Sequence, residues 1–132
     1  MSGKGSVLVV DDDLFALKVA RKRLDGAGWQ VTVRSEALGT AQWLAKYKPD
    51  AVLLDVSMPA LSGDHLGAVL KRNGLTQEIA VILHSGMEAE ALEALLEATG
   101  AAGAIQKTGN DAVFITKFQA LVADFRERMS KA

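Results

Sequence analysis

Short runs of β-branched and aliphatic residues alternate along the chain with longer stretches in which apolar positions recur every three or four residues. Unbroken or alternating apolarity marks a strand and a 3.6-residue period marks a helix, so the pattern predicts repeated βα units feeding a parallel sheet. The predicted strands are Val7 to Val10, Gln30 to Arg34, Ala51 to Leu54, Ile79 to Leu83 and Ala104 to Gln106. Predicted helices follow at about Leu14 to Ala27, Glu36 to Lys46, Gly63 to Asn73, Glu88 to Thr99 and Asp111 to Met129. The first, third and fourth strands are apolar at consecutive positions, as expected where helices cover both faces of a parallel sheet.

Punctuation agrees with this division. Gly26 and Gly28 close the first helix, Lys48-Pro49 precedes the third strand, Gly74 ends the third helix, and Gly100 with Gly103 ends the fourth. Asp13 is placed to cap the first helix and Asp111 the last. The last helix carries Phe114, Phe118, Leu121, Phe125 and Met129 in one stripe with Ile115 and Val122 beside it, a face expected to pack on the sheet. Its final turn, with Arg126, Arg128 and Lys131, is long enough to project beyond the core.

Composition narrows the classes. A chain of 132 residues suits one domain large enough to bury a core without a metal or disulfide staple. It has no cysteine, which excludes thiolate zinc ribbons, thiol nucleophiles and disulfide frameworks. Fifteen basic against 16 acidic residues leave no broad positive footprint, so no direct contact with nucleic acid is expected. The apolar runs are too short to span a membrane and Met1 to Ser6 is polar rather than signal-like, so the expected location is the cytoplasm.

Ligands in such sheets gather beyond the carboxyl ends of the strands. Asp11, Asp12 and Asp13 follow the first strand; three adjacent carboxylates are either a helix cap with solvated neighbours or a site that needs a cation. Asp55 follows the buried third strand, where a bare carboxylate costs several kcal/mol or more unless paired, solvated or metal-bound. With Asp11 and Asp12 it could form an acidic pocket of oxygen ligands suited to Mg²⁺. Ser85 follows the fourth strand and Lys107 the fifth; singly, the first reads as a turn residue and the second as a solvated cation. The placement of all of them at strand ends is what stands out.

These residues resemble the receiver domain of two-component response regulators, including its small chemotaxis-type members. The resemblance is carried by Val9-Val10-Asp11-Asp12-Asp13, by Leu53-Leu54-Asp55-Val56-Ser57-Met58-Pro59 with Gly63 beyond, by Ser85-Gly86 and by Lys107. It covers about Ser6 to Met129, and so implies a single receiver domain over residues 1–132 with a core of about 6–129. It implies a doubly wound (βα)5 flavodoxin-like α/β fold, a five-stranded parallel sheet in the order 2-1-3-4-5 with helices on both faces. Asp55 matches the aspartate that accepts a phosphoryl group from a histidine kinase or histidine phosphotransfer protein. Asp12 matches the direct Mg²⁺ ligand, Asp11 its partner acting largely through metal-bound water, and the Ser57 backbone carbonyl a further ligand; Mn²⁺ can substitute. Ser85 matches the hydroxyl that moves onto the phosphoryl group and Lys107 the cation that pairs with it. The implied protein is no enzyme toward a separate substrate, although it catalyses its own phosphorylation and dephosphorylation. Its output is contact with a downstream protein through helix four, strand five and helix five.

Four positions depart from the family pattern or tune it. Ala104 stands where a tyrosine or phenylalanine is common, which removes the aromatic part of the familiar coupling. Thr108 follows Lys107 where a cis proline is usual, so a trans linkage here is expected to move the loop and the ammonium. Met87 and Ser57 occupy places that tune access of hydrolytic water, and the apolar Met87 is expected to slow loss of the phosphoryl group. His84 is expected to be a half-buried strand-end residue and His65 an exposed one, neither a ligand. Two other functions remain open on the sequence. Asp11-x-Asp13 mimics the nucleophile and acid of small haloacid-dehalogenase-like phosphatases, and a module that keeps the site but has lost the switch would fit Ala104 and Thr108.

Overall fold

The computed structural model describes residues 4–56, 69–107 and 109–131. Five parallel strands, β1 (Gly5–Val10), β2 (Trp29–Arg34), β3 (Ala51–Asp55), β4 (Ala80–Ser85) and β5 (Gly103–Gln106), form one sheet in the order β2-β1-β3-β4-β5. The order reverses at β1, which pairs with β2 on one side and β3 on the other, so the ends of β1 and β3 flank the crevice where a doubly wound sheet binds ligands. The helices are α1 (Leu14–Gly26), α2 (Thr40–Tyr47), α3 (described over 69–72), α4 (Ala89–Thr99) and α5 (Asp111–Ser130), with a 3-10 turn at Leu75–Gln77. No helix among the described residues is long and apolar enough to cross a membrane.

The alternation of side chains along each strand divides the core into two layers. Val7, Val9, Leu53, Ile82 and Ile105 meet Leu17, Ala20 and Leu24 of α1 and Phe114, Phe118, Val122 and Phe125 of α5. Leu8, Val10, Val52, Leu54, Val81 and Leu83 meet Leu44 of α2, Leu70 of α3 and Leu92 of α4. On the first layer Trp29 meets Phe118 edge-on at 5.1 Å, Phe118 stacks on Phe114 at 6.1 Å, and Phe114 lies 5.4 Å from the His84 ring. Gly103 allows α5 to approach β5 closely, since a Cβ there would strike the Leu121 side chain.

Several expectations need correction. α2 begins at Thr40 rather than Glu36: Gly39, in the left-handed region at φ 84°, stands just before the first helical turn. The cap of α5 is Asn110, whose side chain accepts from the Val113 amide at 3.0 Å; Asp111 is instead the first helical residue and pairs with Arg23 at 2.5 Å. Arg126 does not project beyond the core but folds back, donating to the Lys4 carbonyl, pairing with Asp50 and lying over the Trp29 ring. His84 is buried, not half-buried. The first part of the predicted third helix, with Gly63 and His65, lies outside the described residues.

Candidate functional site

β1 and β3 run side by side with Val10 opposite Leu54, so the residues that follow arrive together at the carboxyl edge of the sheet. Asp11 is 2% exposed and Asp55 5%, whereas Asp12 is exposed. Carboxylate oxygens of Asp11, Asp12 and Asp55 lie within 4.8 Å of one another. The Lys107 ammonium enters from β5, donating to Asp11 Oδ2 at 3.1 Å and lying 3.7 Å from Asp55 Oδ2. The Lys107 amide donates to the Ser85 carbonyl at 2.7 Å, and that bond carries the β4–β5 ladder to the base of the side chain.

Burial raises the Asp11 carboxyl above its ordinary value, and the adjacent Asp55 charge adds to the rise; hydrogen bonds from the Asp13 amide and Lys107 act the other way. Among the described residues one ammonium faces two buried carboxylates, and a cluster whose ligand atoms are carboxylate oxygens suits a hard divalent cation such as Mg²⁺. Asp13 stands apart from this cluster. Its Oδ1 accepts from the Phe15 amide at 2.9 Å and the Ala16 amide at 3.4 Å, so the carboxylate is used as the α1 cap, as the sequence predicts.

Ser85 closes β4 beside this cluster and is fully buried. Its Oγ accepts from the Met87 amide at 3.0 Å. The preceding residue, His84, sits opposite Asp55 in the sheet and its carbonyl accepts from the Val56 amide at 3.3 Å. Burial, reinforced by the Lys107 charge, pulls the His84 imidazole down to about 4, so it is neutral near pH 7. Ser57 and Thr108 lie outside the described residues.

Two residues with a part in this arrangement are not singled out by the sequence. Gln106 donates from Nε2 to the Met87 carbonyl at 2.9 Å, tying the end of β5 to the loop after Ser85. The one signal in the sequence is a polar residue ending a strand at the parity of Ala104. Arg23 has a side chain only 8% exposed, held between α1 and α5 by Asp111 and by the Phe114 face at 5.2 Å. An arginine on a helix reads as solvated until its neighbours are known.

A groove of about 360 Å³ opens between α4, β5 and α5, lined by Leu92, Leu96, Ala104 and Leu121 with Glu93 and Lys117 among its polar residues. Ala104 is only partly buried, and the short side chain leaves this space open.

The family model described as the response regulator receiver domain matches residues 7–119. A protein-glutamate methylesterase/protein-glutamine glutaminase 5 from Myxococcus xanthus is 36% identical over 94 residues, covering 70% of this chain and 27% of that protein. The transcriptional regulatory protein KdpE of Mycobacterium tuberculosis is 38% identical over 77 residues, 58% of this chain and 33% of its own length. The chain thus spans a third or less of the length of these relatives. Among solved structures, the Vibrio cholerae chemotaxis response regulator CheY4 superposes with a TM-score of 0.81 at 19% identity, covering 90% of this chain and 99% of that one. A response regulator receiver domain protein from Methanospirillum hungatei gives 0.78 at 24% identity, covering 95% and 99%. At these identities the likeness shows the fold.

Proposed function

Since the chain belongs to the response regulator receiver domain family of two-component signalling, we propose that it is a phosphoacceptor whose Asp55 takes a phosphoryl group from a histidine kinase or histidine phosphotransfer protein. The observation that carries this reading is the convergence of three carboxylates within 4.8 Å, with the Lys107 ammonium 3.7 Å from Asp55. An Asp55 oxygen forms the new bond to phosphorus as the donor's phosphorus–nitrogen bond breaks, and the donor imidazole keeps the electron pair. Attack by an anion on an anionic donor is opposed by charge repulsion, and Lys107 offsets part of it where the charge develops. Asp11, Asp12 and Asp55, with the Ser57 carbonyl, would hold Mg²⁺ or Mn²⁺, which when bound supplies the remaining positive charge at the transferring oxygens. Ser85 donates its hydroxyl to the phosphoryl group once it has turned, and Lys107 pairs with the same group.

A phosphorylated Asp55 adds charge at the site, and only contacts that differ between the two forms can shift the surface. Ser85 and Lys107 make such contacts, and the altered face of α4, β5 and α5 meets a downstream protein. The chain acts as a single receiver domain with a core of about 6–129 and works in the cytoplasm. The phosphatase reading is disfavoured because the Asp13 carboxylate is engaged as a helix cap.

Incubation with Mg²⁺ and a small acyl phosphate, followed by mapping of the adduct by mass spectrometry, tests the proposal. One phosphoryl group on Asp55, absent when the metal is chelated, is the expected result. An adduct on Asp11 instead would overturn it.

A further inference from the structure

β4 and β5 leave the sheet side by side, and two hydrogen bonds tie their polar ends together while a third fixes the turn after β4. The Lys107 amide donates to the Ser85 carbonyl at 2.7 Å, the Met87 amide to Ser85 Oγ at 3.0 Å, and Gln106 Nε2 to the Met87 carbonyl at 2.9 Å. The acceptor of the last bond is a carbonyl, which fixes the nitrogen of the Gln106 amide as the atom that faces it. Met87 is therefore held at both of its backbone polar groups, by Ser85 on one side and by Gln106 on the other. From these contacts we infer that Gln106 is a positioning residue for the phosphoryl site: acting through Met87, it holds the Ser85 hydroxyl in its resting orientation.

The Ser85 side chain is fully buried and its carbonyl is fixed by Lys107. The hydroxyl can therefore turn only about χ1, which either breaks its bond with the Met87 amide or draws Met87 along. Met87 is 36% exposed and follows the end of β4, so it lies beyond the restraint of the sheet's own ladder. Gln106 supplies that restraint from the neighbouring strand. Where Ser85 draws Met87 along toward a phosphoryl group on Asp55, the movement works against the Gln106 bond, and losing that bond favours the modified form. Gln106 also lines the groove beside Ala104. A partner that engages its amide there draws it off Met87, and by reciprocity phosphorylation then strengthens that partner's binding.

The inference rests on the proposed roles of Asp55 and Ser85, and its test separates the two. Wild type, Q106M, S85A and the double variant are compared by NMR, first for hydrogen exchange at the Met87 amide and then in titrations with beryllofluoride and Mg²⁺. Methionine keeps the length of Gln106 without its donor. Q106M is expected to speed Met87 exchange and to tighten beryllofluoride binding by about 2- to 10-fold, the range one net hydrogen bond supports. In the S85A background that gain is expected to vanish, because the restraint acts through the hydroxyl. Unchanged exchange, unchanged affinity, or an equal gain without Ser85 would overturn the inference. If wild type itself shows no saturable response, the phosphoacceptor reading fails, and Met87 exchange still decides whether Gln106 holds the loop.

Discussion

The two faces of the sheet are filled differently. Against α1 and α5 the packing is aromatic and continuous, from Trp29 through Phe118 and Phe114 to the His84 ring. Against α2, α3 and α4 the buried residues are aliphatic, with Trp43 packed against them at the margin, and toward β5 the layer opens into the groove beside Ala104. Strand alternation assigns Asp11, Asp55 and Lys107 to the parity of the first face and Ser85 and Gln106 to that of the second. The buried carboxylates and the ammonium that pairs with them thus stand on the stiff layer. The hydroxyl that must move stands on the layer with room to rearrange, where its Oγ accepts from the Met87 amide.

The predictions that break or sharpen this contrast differ widely in size. Asp55→Asn removes the attacking oxygen and is expected to abolish the acyl-phosphate adduct entirely while leaving the fold intact, checked by mass spectrometry beside circular dichroism. Phe114→Ala opens a cavity in the aromatic layer and is expected to cost about 3–5 kcal/mol in urea unfolding. Leu96→Ala, which faces the open groove, is expected to cost less than about 2 kcal/mol, because its side chain is already part-solvated and a smaller cavity forms. Equal losses at the two positions would contradict the contrast.

His84 gives the next effect. Its folded value of about 4 lies below the ordinary 6.5, so the unfolded chain binds the extra proton between them. The stability it contributes is present above pH 6.5 and is lost as pH falls toward 4, by no more than about 3 kcal/mol. His84→Gln is expected to flatten this part of the stability profile; an unaltered slope would show that His84 is not held neutral. Asp13→Ala removes the α1 cap and is expected to cost about 1 kcal/mol, with the adduct on Asp55 retained.

Much of this was legible in the sequence because strands of unbroken apolarity place their next residue at the sheet edge whatever the helices do. That logic locates Asp11, Asp55, Ser85 and Lys107 from one periodicity, and their ordered spacing points to the family. What it misses depends on contacts across the fold. Asn110 and Asp111 are both good caps, and the choice between them follows from Arg23 drawing Asp111 into an ion pair. Gln106 acquires a role only because parallel pairing of β4 and β5 sets it beside Met87. Lys107 reaches the acidic pair because the ladder is extended at its amide, an interaction no local motif encodes.

The most direct test of a stiff charged face and a yielding hydroxyl face is the pattern of NMR shifts when wild type is saturated with beryllofluoride and Mg²⁺. The account predicts large amide shifts at Ser85, Met87, Ala104 and Gln106, with the Trp29 indole and the Phe118 amide nearly unmoved. Shifts concentrated along Trp29, Phe118 and Phe114, with Met87 and Gln106 unchanged, would contradict it.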